Sequence, residues 1–131
     1  NVLKALRRTA RDRILICLFG CGGDRDRTKR PEMGKIAGKY ADRIFVTSDN
    51  PRTEDPEAII ADIRAGMDAA TRARSIFITD RKEAIRTAVM TAPEGAVILF
   101  AGKGHEDYQV IGRDKIHYDE RGFVKEIINS I

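Results

Sequence analysis

The run Ile14-Leu-Ile-Cys-Leu-Phe19, followed at once by Gly20-Cys-Gly-Gly-Asp-Arg-Asp-Arg27, decides how the chain is read. Six consecutive apolar residues that stop at a glycine describe a strand buried on both faces, the pattern of a parallel sheet covered by helices. The same rhythm recurs. Ile44–Thr47, Ser75–Ile78 and Ala96–Phe100 are further short apolar runs. Between them lie helical patterns. Residues 31–41 carry Met33, Ile36, Ala37 and Tyr40, with Pro31 expected at the first helical position. Asp55 is expected to cap a helix holding Ile59, Ile60 and Ile63, and Asp80 one holding Ala84, Ile85, Ala88 and Val89. Alternation of strand and helix predicts a mostly parallel sheet with helices on both faces.

The rhythm changes after Phe100. Tyr108–Ile111 and Lys115–Tyr118 flank Gly112-Arg113-Asp114, the pattern of an antiparallel hairpin, expected at the C-terminal edge of the sheet. Asp119 is expected to cap a last helix through Phe123, Val124, Ile127 and Ile128. Val2, Leu3 and Leu6 mark a helix at the start, with no strand before it. A piece of a longer protein is the simplest expectation.

The 131 residues fit one domain with a real core. The composition, 42% hydrophobic and 34% charged, is that of a soluble globular protein. No apolar run approaches the roughly 20 residues of a membrane helix, and the charged N-terminal segment has no signal-peptide core. The net charge of +4 suits anionic partners. With 6% aromatics and no nucleic-acid motif, nucleic acid is not the expected partner. Cys17 and Cys21 have no second pair and no histidine nearby, so reduced thiols rather than a zinc site are expected.

Parallel strands put their C-terminal loops on one rim, where open α/β sheets bind ligands. Three such loops are polar and glycine-bearing: Gly20–Arg27, Ser48-Asp49-Asn50-Pro51-Arg52, and Ala101-Gly-Lys-Gly-His-Glu-Asp107. In the second, Arg52 offers a planar fork for a carboxylate or phosphate, Asn50 donates and accepts, and Asp49 can hold an ammonium group. The set suits a zwitterion. Each loop also has a plainer reading. Asn50-Pro51 starts many solvated turns. Arg25 could pair with Asp24 or Asp26, Lys103 could be solvated, His105 could be structural and Glu106 a cap. Neither a phosphate-loop Gly-Lys-Ser/Thr nor a Gly-x-Gly-x-x-Gly is present, so no nucleotide site is expected on this chain alone.

Four segments together carry more. F-G-C-G-G-D-R-D at Phe19–Asp26, K-R-P at Lys29–Pro31, T-S-D-N-P-R at Thr47–Arg52 and A-G-K-G-H-E-D-Y-Q at Ala101–Gln109 resemble the C-terminal domain of the Mur ligases. The likeness is to the tripeptide-synthetase (MurE-type) branch that adds meso-diaminopimelate, and it runs over nearly the whole chain. It implies a Rossmann-like α/β three-layer sandwich over residues 1–131. It also implies an ATP- and Mg²⁺-dependent cytoplasmic ligase that joins meso-diaminopimelate to UDP-N-acetylmuramoyl-L-Ala-D-Glu in peptidoglycan synthesis.

Carried over from that resemblance, Arg25, Asn50 and Arg52 would bind the amino acid's carboxylates. Asp49, the backbone of Gly102 and the side chain of Glu106 would take its distal ammonium. Lys103 and His105 would approach phosphate groups. The family activates the carboxyl as an acyl phosphate, which the amine attacks. Its phosphate loop, metal ligands, UDP-sugar domain and D-Y-A-H-T-P-D motif are absent from this chain, and against the family's pattern the first strand of the domain is expected to be missing too. The chain alone is therefore expected to hold no catalytic residue and no metal, and to be inactive. Two alternatives remain: the related folylpolyglutamate synthetases, and a non-catalytic Rossmann-like binding module.

Overall fold

The computed structural model describes residues 2–102, 108–111, 113–117 and 119–130; of 108–111 and 114–117 only the backbone is described. The chain runs α1 (Val2–Ala10), β1 (Leu15–Phe19), α2 (Lys29–Tyr40), β2 (Arg43–Val46), α3 (Pro56–Arg64), α4 (Ala69–Ala73), β3 (Ser75–Phe77), α5 (Arg81–Thr91), β4 (Val97–Phe100), β5 (Tyr108–Ile111), β6 (Asp114–His117) and α6 (Glu120–Ser130). Strands β1 to β4 form a parallel sheet in the order β3-β2-β1-β4.

The order explains the sequence pattern. β1 lies between β2 and β4, and all five of its residues are buried. Its odd positions, Leu15, Cys17 and Phe19, pack into one core with Ile44 and Val46 of β2, Ala37 of α2, and Ile59, Ile60 and Ile63 of α3. Its even positions, Ile16 and Leu18, pack on the other face with Phe45, Ala84, Ile85, Ala88 and Ile127. Two cores, one per face, make the three layers. The chain steps from β1 to β2 to β3, then crosses back through α5 to β4. The strand order therefore reverses between β1 and β4, which makes the crevice above them the topological switch point.

The helix starts follow local chemistry. Asp55 accepts from the Glu57 N–H, Asp68 from Thr71, Asp80 from Lys82 and Glu83, and Asp119 from Gly122. Two details differ from the sequence-based expectation. Helix α2 begins at Lys29, so Pro31 is its third residue rather than its first. Asp26 takes both the N–H and the hydroxyl of Thr28, at 3.0 and 2.7 Å, and so starts the turn early. The hairpin β5–β6 pairs antiparallel but forms a two-stranded sheet of its own, rather than extending the edge of the parallel sheet. The short α4 was not anticipated, because five residues are too few to show a helical period.

Candidate functional site: the rim above β1, β2 and β4

The loops after β2, β1 and β4 emerge side by side, as neighbouring parallel strands require. The first two are joined by a mesh of hydrogen bonds. The Gly23 N–H donates to Asn50 O at 2.9 Å, and Arg52 Nη1 donates to Gly23 O at 3.0 Å and to Asn50 O at 3.3 Å. The Asp24 N–H donates to Glu54 Oε1 at 2.9 Å, and the Thr53 hydroxyl lies 2.8 Å from both carboxylate oxygens of Asp24. Asp24, Asn50 and Arg52 have φ of 54°, 27° and 53°, the left-handed region that non-glycine residues rarely adopt. Such strain persists where surrounding bonds over-determine it, and it clusters at ligand clamps. Gly23 is required by close approach: a Cβ there would stand 1.8 Å from Pro51 O.

Arg25 and Arg52 flank Gly22. A Cβ built on that glycine would lie 3.0 Å from Arg52 Nη1 and 3.5 Å from Arg25 Cγ. Arg25 is exposed, and its Nη1 reaches the carbonyl of Asp24 at 3.4 Å. The carboxylates of Asp24 and Asp26 are instead engaged by Thr53 and Thr28, so the surface-pair reading of Arg25 is not what the loop does. Asn50 is buried and Asp49 half-buried. The third loop meets the second at Gly102, whose φ of 104° excludes most other residues; a Cβ there would lie 3.3 Å from Asp49 Oδ2. The structure thus brings together Arg25, Asp49, Asn50, Arg52 and Gly102. Lys103, His105 and Glu106 lie outside the described residues.

Two buried arginines support this rim, and sequence reasoning missed both. Arg30, in the first turn of α2, donates to Glu54 Oε1 and Oε2 at 2.9 Å each, to Asp62 Oδ2 at 3.0 Å and to Gly22 O at 3.0 Å. Its hydrogen bonds and charge hold the Glu54 carboxyl down at about 2. Arg81, the first residue of α5, donates to Glu120 Oε1 at 2.5 Å, to Ser48 O at 2.9 Å and to Ala101 O at 3.2 Å. It ties the second loop to the third and to α6. The K-R-P segment was the one available signal for Arg30; nothing in sequence marked Arg81.

Cys17 and Cys21 are buried free thiols. Burial pushes them up to about 12 and about 11, so neither is a thiolate near neutral pH. Among the described residues no group of three or more His, Cys, Asp or Glu is placed to hold a metal ion. No helix among them is long and apolar enough to cross a membrane.

A parallel sheet with helices on both faces and a polar, cross-linked rim at its switch point defines an α/β domain of the Rossmann-like kind. The family follows from comparison: the chain belongs to the Mur ligases, its residues 1–104 matching the model described as "Mur ligase, glutamate ligase domain". It is 60% identical over 121 residues to the UDP-N-acetylmuramoyl-L-alanyl-D-glutamate--2,6-diaminopimelate ligase of Trichormus variabilis, covering 92% of this chain and 24% of that protein. It is 52% identical over 130 residues to the protein of the same name from Syntrophomonas wolfei, covering 99% of this chain and 26% of that one. A solved structure of a ligase with that name superimposes with a TM-score of 0.87 at 41% identity, over 98% of this chain and 27% of the other. The chain therefore spans about a quarter of the length of these relatives.

Proposed function

We propose that this chain is the amino-acid-binding C-terminal domain of an ATP-dependent ligase that adds meso-diaminopimelate to UDP-N-acetylmuramoyl-L-Ala-D-Glu in cytoplasmic peptidoglycan synthesis. The observation that carries the reading is the convergence of Arg25 and Arg52 on Gly22, beside buried Asn50. Two guanidinium groups and an amide on adjacent loops suit a ligand with more than one carboxylate. Asp49, with the Gly102 backbone alongside it, offers the anionic partner that a distal ammonium needs. Glu106 belongs with them in this reading, and Lys103 and His105 near phosphate. The relatives' names, which specify 2,6-diaminopimelate, agree with that chemistry.

ATP and Mg²⁺, held outside this chain, would activate the D-Glu carboxyl of the other substrate by phosphoryl transfer, with ADP as the leaving group. The work of these residues is orientation. Gripping the distal end of the amino acid leaves its other amine free to face the acyl carbon, and a fixed approach can contribute a large share of the rate. Closure of the domain over the site would exclude water from a hydrolysable intermediate.

The test is ligation by the full-length parent with diaminopimelate and with lysine, comparing wild type with Arg52→Ala. Lysine lacks the distal carboxylate, so binding it gives Arg52 and Asn50 no second carboxylate to engage and should cost the wild type several orders of magnitude in kcat/KM. Arg52→Ala should lose most of that preference. Equal use of both amino acids by the wild type would refute the assignment.

A further inference from the structure

Arg30 has no place among the proposed ligand contacts, yet its side chain is only 1% exposed. Its guanidinium makes four hydrogen bonds from Nη1 and Nη2, and Nε is buried with no hydrogen-bond partner. Three of the four go to two carboxylates, one on the loop entering α3 (Glu54) and one within α3 (Asp62). The fourth goes to the carbonyl of Gly22, the residue that separates Arg25 from Arg52. Glu54 is shared: Oε1 takes Arg30 on one side and the Asp24 N–H on the other. One guanidinium–carboxylate pair thus pins both walls of the rim, the loop that carries Arg25 and the loop that carries Asn50 and Arg52.

We propose that Arg30 is a positioning residue: with Glu54 it sets the distance between those two walls and thereby the preference for an amino acid whose carboxylates must reach both. This rests on the function proposed above. The physical reason is geometric. A ligand that bridges two walls binds well at one spacing, and a displacement on the order of 1 Å at a positioned group can cost as much as a hundredfold. A ligand held at one wall is insensitive to the spacing. Arg30 cannot be replaced by lysine without loss, because an ammonium is a point charge and lacks the planar fork that engages both oxygens of Glu54.

The experiment uses the full-length parent and the variants Arg30→Lys and Glu54→Gln. KM and kcat are measured for diaminopimelate and for lysine, and KM for ATP and for the nucleotide-linked dipeptide. The expected result is a rise in KM for diaminopimelate of about tenfold or more, a fall in the preference over lysine of similar size, and little change in KM for the other two substrates. Glu54→Gln cuts the same contact at a position a quarter exposed, so it decides the matter if Arg30→Lys fails to fold. An unchanged KM for diaminopimelate in a folded variant would overturn the proposal. So would a parallel rise in KM for all three substrates, the mark of a general structural defect. Failure of the substrate assignment shows separately, in the wild type alone, as indifference between the two amino acids. The KM shift for the amino acid it then uses still tests the clamp.

Discussion

Glu54 shows how much one carboxylate can be asked to do. It lies in a loop, is a quarter exposed, and accepts from Arg30 and from the backbone of Asp24. Those bonds lower it to about 2 from an ordinary 4.5. A carboxyl depressed in the folded state stabilises that state at pH above its unfolded value and loses the contribution as pH falls through the folded value. Thermal unfolding should therefore show wild type above Glu54→Gln at pH 7, with the gap closing between pH 4.5 and about 2. A gap constant across that window would mean that the charge on Glu54 contributes nothing to folding. Asp42 works in the same direction. Burial alone would raise it, but the Leu15 N–H at 2.8 Å and Arg7 at 2.7 Å outweigh that and hold it below its usual range. Beyond the K-R-P segment that holds Arg30, nothing in the sequence marked either Arg30 or Glu54 as buried or paired. Each sits in a segment crowded with like residues, and burial is not a property a charged residue announces.

Among the elements, α5 and α6 are bound to the rim through Arg81 and Glu120. Arg81 is fully buried, and its carboxylate partner nearly so. Removing one member of such a pair leaves a buried charge uncompensated, which costs roughly 3–5 kcal/mol. Glu120→Ala should lower the unfolding free energy by that amount in denaturant titration, with the m-value unchanged. A loss under about 1 kcal/mol would show that the carbonyls of Ser48 and Ala101 suffice for Arg81. The strands and the long helices were legible because each has a period or an unbroken apolar run: Leu15–Phe19 reads as a doubly buried strand and is one. The parts that escaped are α4, too short for a period, and the separate pairing of β5 with β6. A hairpin pattern specifies its own turn, not the sheet it joins.

At the scale of the whole molecule, two cores back to back on one sheet account for a domain with its own interior. We expect the isolated chain to unfold in one cooperative transition. We also expect it to bind ATP weakly or not at all, since no phosphate-loop motif occurs in the sequence. Titration calorimetry checks the second point directly, and a micromolar dissociation constant would contradict it.

The sequence by itself determined the order and kind of most elements, and the identity of three polar loops that follow apolar strands. Apolar period, glycine and capping residues act over a few neighbours, so they can be read in a line. Only the tertiary structure decided that the strands stand in the order β3-β2-β1-β4, which puts the switch point between β1 and β4. It alone showed that the loops are fastened together by Arg30, 24 residues from Glu54, and by Arg81, 39 residues from Glu120. Pairings at such separation depend on where packing carries each segment, and the local pattern around either partner holds no record of it.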